Sequence, residues 1–346
     1  MIKTPTKFIA LLSGAAFLMS SAFAQGVTTD PVGYVSTTTP TGDDALIGLP
    51  LTQAIVFAGV ADSVSGAQVS VSATLTLDAY NNTHYVLVTS GANAGQWSEV
   101  IATAVDSITT AEVLLAATDT FDVVPFWTLA TAFPGGAGVG ASANPNVPST
   151  TILLNDLNAS GVNLSAGSVY FYFAGPSPAA GFYQTGPFAD GNNVRLSPET
   201  YVTIRNNSGS DLSTVVTGFV PADVVGTTVI GVLSAGQDNQ VVNPYPAAMT
   251  LATSGLTDVV APAANPNVPT DTVLIFDPEN TSGQNLSAGS VYFYFAGPSP
   301  SAGWYQTGSF ADGNNVEIPA GGAFIIRKGA GDDEVIAWNP PVPYSL

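Results

Sequence analysis

The sequence predicts an all-β chain of tandem β-sandwich or small-barrel units with an internal duplication, and three observations carry that expectation. A 32-residue segment occurs twice, at Asn163 to Val194 and at Asn285 to Val316, with only Ala179, Phe182 and Pro187 replaced, by Ser301, Trp304 and Ser309. Short β-branched and aromatic runs recur throughout, bounded by Gly, Pro, Asn and Asp. Helical periodicity is poor beyond the first two dozen residues, and only fragments such as Pro221 to Val225 suit a helical turn.

Residues 1–24 read as a secretory signal. Lys3 and Lys7 form a basic start, Phe8 to Met19 is an apolar run interrupted by Ser13 and Gly14, and Ala22-Phe23-Ala24 is a small-x-small cleavage site. A membrane span needs about 20 apolar residues. This stretch is too short and no other reaches that length, so no transmembrane anchor is expected.

Residues 25–126 are expected to form a divergent N-terminal β unit. Tyr85 to Gly91 followed by Ala94-Gly95-Gln96-Trp97 has the strand, glycine connection, strand layout of Tyr170 to Gly175 followed by Ala180 to Tyr183. Residues 127–248 form repeat unit 1 and residues 249–346 repeat unit 2, truncated after its last strands. The offset of 122 extends the match from Thr128-Leu129-Ala130-Thr131 against Thr250 to Thr253, to Tyr201 to Asn206 against Ala323 to Lys328, keeping Arg205 opposite Arg327. Within Val169 to Phe173, alternation places Val169, Phe171 and Phe173 on one face and Tyr170 and Tyr172 on the other. A strand so rich in apolar carbon should be covered on both sides.

The stretches TTDPVGYVSTTTPTGDDALIGLPLTQ, HYVLVTSGANAGQWSEV, VVPFWTLATAFP and GWYQTGSFADGNNVEIPAGGAFIIRK together resemble a family of secreted proteins of unassigned function from Verrucomicrobia and related bacteria. The resemblance covers most of the chain after the signal. It implies export and a β fold and carries no catalytic residues.

Composition excludes several classes of function. Among 346 residues there are 25 acidic and 6 basic side chains and no Cys, and 46% of residues are hydrophobic. That apolar content is too high for an acidic disordered chain, and a formal charge of −19 opposes nucleic acid and anionic membranes. Without Cys there is no disulfide, thiol nucleophile or thiolate metal site. Removing the signal takes Lys3 and Lys7 and leaves a charge of −21, with Arg195, Arg205, Arg327 and Lys328 as the remaining cations. The matching positions of Arg205 and Arg327 make them structural elements of each unit.

Catalytic patterns are sparse. His84 is the one histidine and reads as a polar residue flanking a strand, and no Gly-x-Ser-x-Gly elbow occurs. Glu99, Asp122, Glu199, Asp277 and Glu279 are the acids available for a glycosidase-like carboxylate pair. The glycine-rich stretch from Gly135 lacks the Lys and helix of a phosphate loop. Calcium is the one cofactor with candidate ligands: Asp190 and Asn192, their twins Asp312 and Asn314, and Asp332 and Asp333, with Asp43-Asp44 adding loop carboxylates. Asp-Gly is also a common hairpin turn, which is the simpler explanation of the first two pairs. Tyr183, Trp304 and Tyr305 are the candidate sugar-stacking aromatics; core and hairpin-face packing is their simpler role.

The expected function is therefore a secreted structural or surface-associated β-repeat protein, extracellular, on the cell surface or in the periplasm, without catalysis and assembling with itself. The alternatives are a carbohydrate-binding or adhesive module acting on cell-surface polysaccharide, and a secreted carboxylate-dependent glycoside hydrolase.

Overall fold

The structure is a computed structural model describing residues 31–156, 159, 161–198, 200–221, 228–233, 236–276, 282–298, 300–329, 334–338 and 340–344. The signal at 1–24 and the candidates Glu199, Asp277, Glu279, Asp332 and Asp333 lie outside the described residues, as does most of the expected turn at Pro221 to Val225. The fold is all-β, as the sequence predicts.

The described chain opens with β1 (Val32–Thr39) and β2 (Asp44–Gly48). Next come β3 (Phe57–Val60), β4 (Ser63–Ser65), β5 (Gln68–Ser70), β6 (His84–Val88), β7 (Trp97–Thr103), β8 (Ser107–Thr110) and β9 (Thr120–Pro125). These seven form one sheet in the order β3-β9-β6-β7-β8-β5-β4. Its inward positions, among them Val86, Val100, Ile108 and Phe121, make a core of their own. The β6–β7 hairpin matches the expected layout. Its neighbour β9 follows the hairpin in sequence, whereas the strand flanking the corresponding hairpin in the duplicated units precedes it, so the seven-stranded sheet is not a third copy in its strand order.

The first duplicated unit continues with β10 (Trp127–Thr128), α1 (Leu129–Ala132), β11 (Ala141–Ser142), β12 (Thr150–Asn155), β13 (Ala166–Phe173), β14 (Gly181–Gln184), β15 (Arg195–Leu196), β16 (Tyr201–Asn206) and β17 (Leu212–Phe219). The sheet order is β11-β13-β12-β16-β2, with β14 on β13, while β1 pairs with β17 and β10 with β15. The second unit comprises β18 (Thr228–Leu233), β19 (Asp238–Val242), β20 (Met249–Thr250), β21 (Thr272–Ile275), β22 (Ser290–Phe295), β23 (Gly303–Gln306), β24 (Glu317–Ile318), β25 (Ala323–Arg327) and β26 (Glu334–Trp338). Its order is β19-β25-β21-β22-β23, with β18 on β26 and β20 on β24.

The two pairing schemes coincide apart from β11, whose place in the second unit is taken by an isolated parallel bridge between Ala263 and Phe295, and they cut across the boundaries expected at 126/127 and 248/249. β1 and β2 complete the first unit by pairing with β17 and β16, although they precede the seven-stranded sheet. β18 and β19, expected in repeat unit 1, pair with β26 and β25 of the second. The second unit is therefore not truncated: β26 follows β25 and closes on β18 as β17 closes on β1. The seven-stranded sheet is an insertion between Leu51 and Trp127, where the second unit has only Pro246-Ala247-Ala248.

Each unit has its own core. Ile152, Tyr170, Phe182, Val202 and Ile204 pack in the first. Val273, Tyr292, Trp304, Phe324 and Ile326 pack in the second. The strand Val169 to Phe173 is covered on both sides, as expected. Tyr170 and Tyr172 pack into the core with Phe182, while Phe171 meets Tyr183 and Phe188 on the opposite face. The recurring Thr-Leu-Ala-Thr is a capping motif: the Thr131 amide donates to Thr128 Oγ1, the Thr128 amide donates to Thr131 Oγ1, and Thr250 with Thr253 repeats the exchange.

Candidate functional site

The hairpin turns spend their oxygens on themselves. Asp190 Oδ1 accepts from the amide and the side-chain nitrogen of Asn192, at 2.8 and 2.6 Å, and Asn192 Oδ1 accepts from the Phe182 amide at 3.0 Å. Asp312, Asn314 and Trp304 repeat the arrangement. These four residues are thus the polar latch of an ordinary tight turn, and among the described residues no three His, Asp or Glu side chains gather as a metal would require.

The aromatic candidates separate. Trp304 is 1% exposed and sits in the second core, so it presents no face to a sugar. It faces inward because Trp304 occupies the position of the buried Phe182. Tyr183 and Tyr305 are half-buried, their rings against Phe171 and Phe293 and their hydroxyls donating to the carbonyls of Ala179 and Ser301. Both therefore lie on the hairpin face outside the core, each with its hydroxyl committed within its own hairpin.

Of the candidate acids, Glu99 and Asp122 lie among the described residues. Glu99 forms an ion pair with Arg195, whose guanidinium also covers the Phe126 ring at 5.0 Å. Asp122 lies on β9 opposite Leu87 and adds a raising influence to the neighbouring Tyr85 phenol, already pushed up by burial. His84 Nδ1 lies 2.8 Å from Thr83 Oγ1, with its ring 5.0 Å from that of Tyr80, and desolvation lowers its pKa below the ordinary imidazole value.

The polar side chains that do converge lie between the two duplicated units. Strand alternation sends Val202 and Ile204 of β16 into the first core and Tyr201, Thr203 and Arg205 to the opposite face. The same alternation sends Phe324 and Ile326 of β25 into the second core and exposes Ile325 and Arg327. Each arginine binds an aspartate of its own unit through two nitrogens. Arg205 Nε and Nη2 donate to Asp44 Oδ1 and Oδ2, both at 2.8 Å; Arg327 Nε and Nη2 donate to Asp238 at 2.6 and 2.9 Å. Each then crosses to the other unit: Arg205 Nη2 donates to Asn285 Oδ1 at 2.8 Å, and Arg327 Nη2 to Asn163 Oδ1 at 3.0 Å. The amides of those asparagines return the contact to Asp44 and Asp238.

The result is a two-fold-like clasp inside one chain, each unit offering the same patch to the other as in an isologous dimer. Hydrogen bonding to the aspartates holds both guanidinium pKa values above the ordinary arginine range, so both guanidiniums stay charged at every physiological pH. Tyr201, Val242, Ala323 and Leu46 form an apolar cluster at the same boundary. Close approach is also visible at Gly48, whose amide donates to Gly321 O at 3.0 Å; a Cβ there would lie 2.5 Å from the same oxygen. Between the clasped faces remains a cavity of about 670 Å³.

The equivalence of Arg205 and Arg327 was the sequence signal for this region. Asp44, Asp238, Asn163 and Asn285 were not singled out as its partners, because they come from chain segments far apart in sequence. Comparison with models of protein families, with curated proteins and with solved structures returns no match for this chain.

Proposed function

We propose that this chain is an exported, non-catalytic structural β-repeat protein that associates with copies of itself outside the cytoplasm. The observation that carries the reading is the outer face of the β1–β17 ribbon. Val32, Tyr34, Ser36 and Thr38 on β1 and Ser213, Val215 and Thr217 on β17 all point outward, with Val32 68% and Tyr34 71% exposed. Neither strand carries a charged side chain. In a chain of formal charge −19, copies repel one another over most of their surface, and an uncharged, flat, partly apolar ribbon is where a second copy approaches at least cost. The same face in a neighbouring molecule supplies a matching occupant. Export is supported by the signal-like residues 1–24.

Light scattering across a concentration series tests the association. The protein freed of residues 1–24 should show a mass that rises with concentration, and Tyr34→Asp with Val215→Glu should hold it at the mass of one chain. A single-chain mass for the unsubstituted protein at every concentration and salt would reject self-association. Fractionation of the producing cells, with the chain found in the cytoplasm, would reject export.

A further inference from the structure

We infer that the cavity between the two duplicated units is a binding site for a short neutral saccharide, a reading that does not depend on self-association. At about 670 Å³ the cavity lies within the range of about 300–1,000 Å³ that holds small-molecule ligands. Its walls combine polar groups with no protein partner and apolar side chains. The Nη1 groups of Arg205 and Arg327, the Gln240 amide, the Thr203 hydroxyl and the hydroxyls of Ser165 and Ser287 hold no hydrogen bond among the described residues, although all six residues line the cavity. Beside them stand Leu46, Leu164, Leu286 and Ile325, which offer C–H surface.

Charge decides the class of ligand. Asp44 and Asp238 accept three hydrogen bonds each and cancel the two guanidiniums, and Asp43 lies next to Asp44. The site therefore has no surplus of positive charge, and the strongly acidic chain around it repels anions. A purely apolar ligand would cover these polar groups, displacing their water without pairing them. A polyhydroxylated ring satisfies both demands: its hydroxyls meet planar amide and guanidinium groups at its edge, and its C–H faces meet the leucines. The wall residues of the two units are not identical, since Thr203 corresponds to Ile325 and Leu46 to Gln240, so the site is directional despite the two-fold clasp.

Calorimetric titration with maltotriose, cellobiose, xylobiose and chitobiose, and with galacturonate and sulfate as charged probes, tests the inference. At least one neutral sugar should bind with a dissociation constant below about 10 mM. Gln240→Leu should weaken it at least about tenfold, because that side chain lines the cavity and supports no fold contact through hydrogen bonds. Thr203→Val serves as the second variant should Gln240→Leu unfold; circular dichroism checks both. Heat from none of the four sugars, binding of the anions alone, or sugar binding unchanged in both variants would each overturn the proposal.

Discussion

Arg205 and Asn285 lie on different units of the duplication, 80 positions apart, yet Nη2 of the arginine donates to Oδ1 of the asparagine while also holding Asp44. Arg327 and Asn163 make the same connection in the reverse sense. Two copies of one sequence thus bind each other with residues that each copy carries once.

That reciprocity makes Arg205 a stability determinant. The Asp44 side chain is only 3% exposed, and Arg205→Ala would leave its charge enclosed with the Asn285 amide as its remaining donor. Removing one partner of a buried pair costs about 3–5 kcal/mol, and the 20% exposure of the Arg205 side chain places this site near the lower end, about 3 kcal/mol. Urea unfolding should show that loss, while Arg205→Leu combined with Asp44→Leu should cost less than Arg205→Ala alone. Equal losses would mean that the aspartate is not burdened by its burial.

Among the positions at which the two cores differ, the exchange of Phe182 for Trp304 is directly testable. Trp304 Nε1 is buried without an acceptor, whereas its twin Phe182 has no polar atom to satisfy. In Trp304→Phe, release of an orphaned donor offsets the cavity left by the smaller ring, and the net change in unfolding free energy should stay within about 1 kcal/mol. The reverse exchange, Phe182→Trp, overfills a closed core and adds an unpaired N–H, so it should cost about 1–3 kcal/mol. Denaturant melts of the two variants check the asymmetry.

Much of this organisation was legible in the residues. The near-identical 32-residue segments announce the duplication, and the matching positions of Arg205 and Arg327 mark both as structural elements of their units, though not as a link between them. The split of the first unit was not legible, for a physical reason. Strand pairing is made by backbone groups, which every residue carries, so β2 leaves little trace of its partner β16 in side chains. Asp-Ala-Leu-Ile-Gly at Asp44 and Asp-Asn-Gln-Val-Val at Asp238 share only the aspartate, and they recur at 194 positions instead of 122 because a whole sheet intervenes. The open choice at Trp304 between core and sugar-stacking roles has a different origin: alternation says that one of two neighbours is outward, not which one.

Stability should fall on both sides of neutrality for identifiable reasons. Burial lowers the His84 pKa, so below about pH 6.5 the unfolded chain takes up a proton that the folded chain resists, and stability declines until the folded imidazole is charged too. On the alkaline side, burial raises the phenols of Tyr85 and Tyr201, and raises Tyr344 to about 12. Above about pH 10 the unfolded tyrosines ionise while these stay protonated in the fold, so unfolding is favoured with each further rise. Urea midpoints between pH 7 and 5 should lose part of their slope in His84→Gln. Tyr85→Phe should move the alkaline transition upward; a transition unchanged in that variant would show that another group governs it.

The inserted sheet should be removable, because the contacts that dock it occur in one unit only. Arg195, which pairs with Glu99 and covers Phe126, is replaced by Glu317 in the second unit, where no sheet is inserted. The Gln53 side chain donates to the Phe126 carbonyl at 2.6 Å where the two crossing strands meet, and Trp127 Nε1 donates to the carbonyl of Leu51 at 2.7 Å. With side chains 42% and 24% exposed, the ion pair between Arg195 and Glu99 is worth no more than about 1 kcal/mol, so Glu99→Gln should loosen the sheet without unfolding the chain. Replacing residues 52–126 by Pro-Ala-Ala, the connection found at Pro246-Ala247-Ala248, should leave β1 and β2 joined to β17 and β16. The shortened chain is expected to unfold cooperatively, keep its β circular dichroism and retain the clasp. A shortened chain that is unfolded would show instead that the seven-stranded sheet is needed to hold β2 against β16, and that the two units are not independent of it.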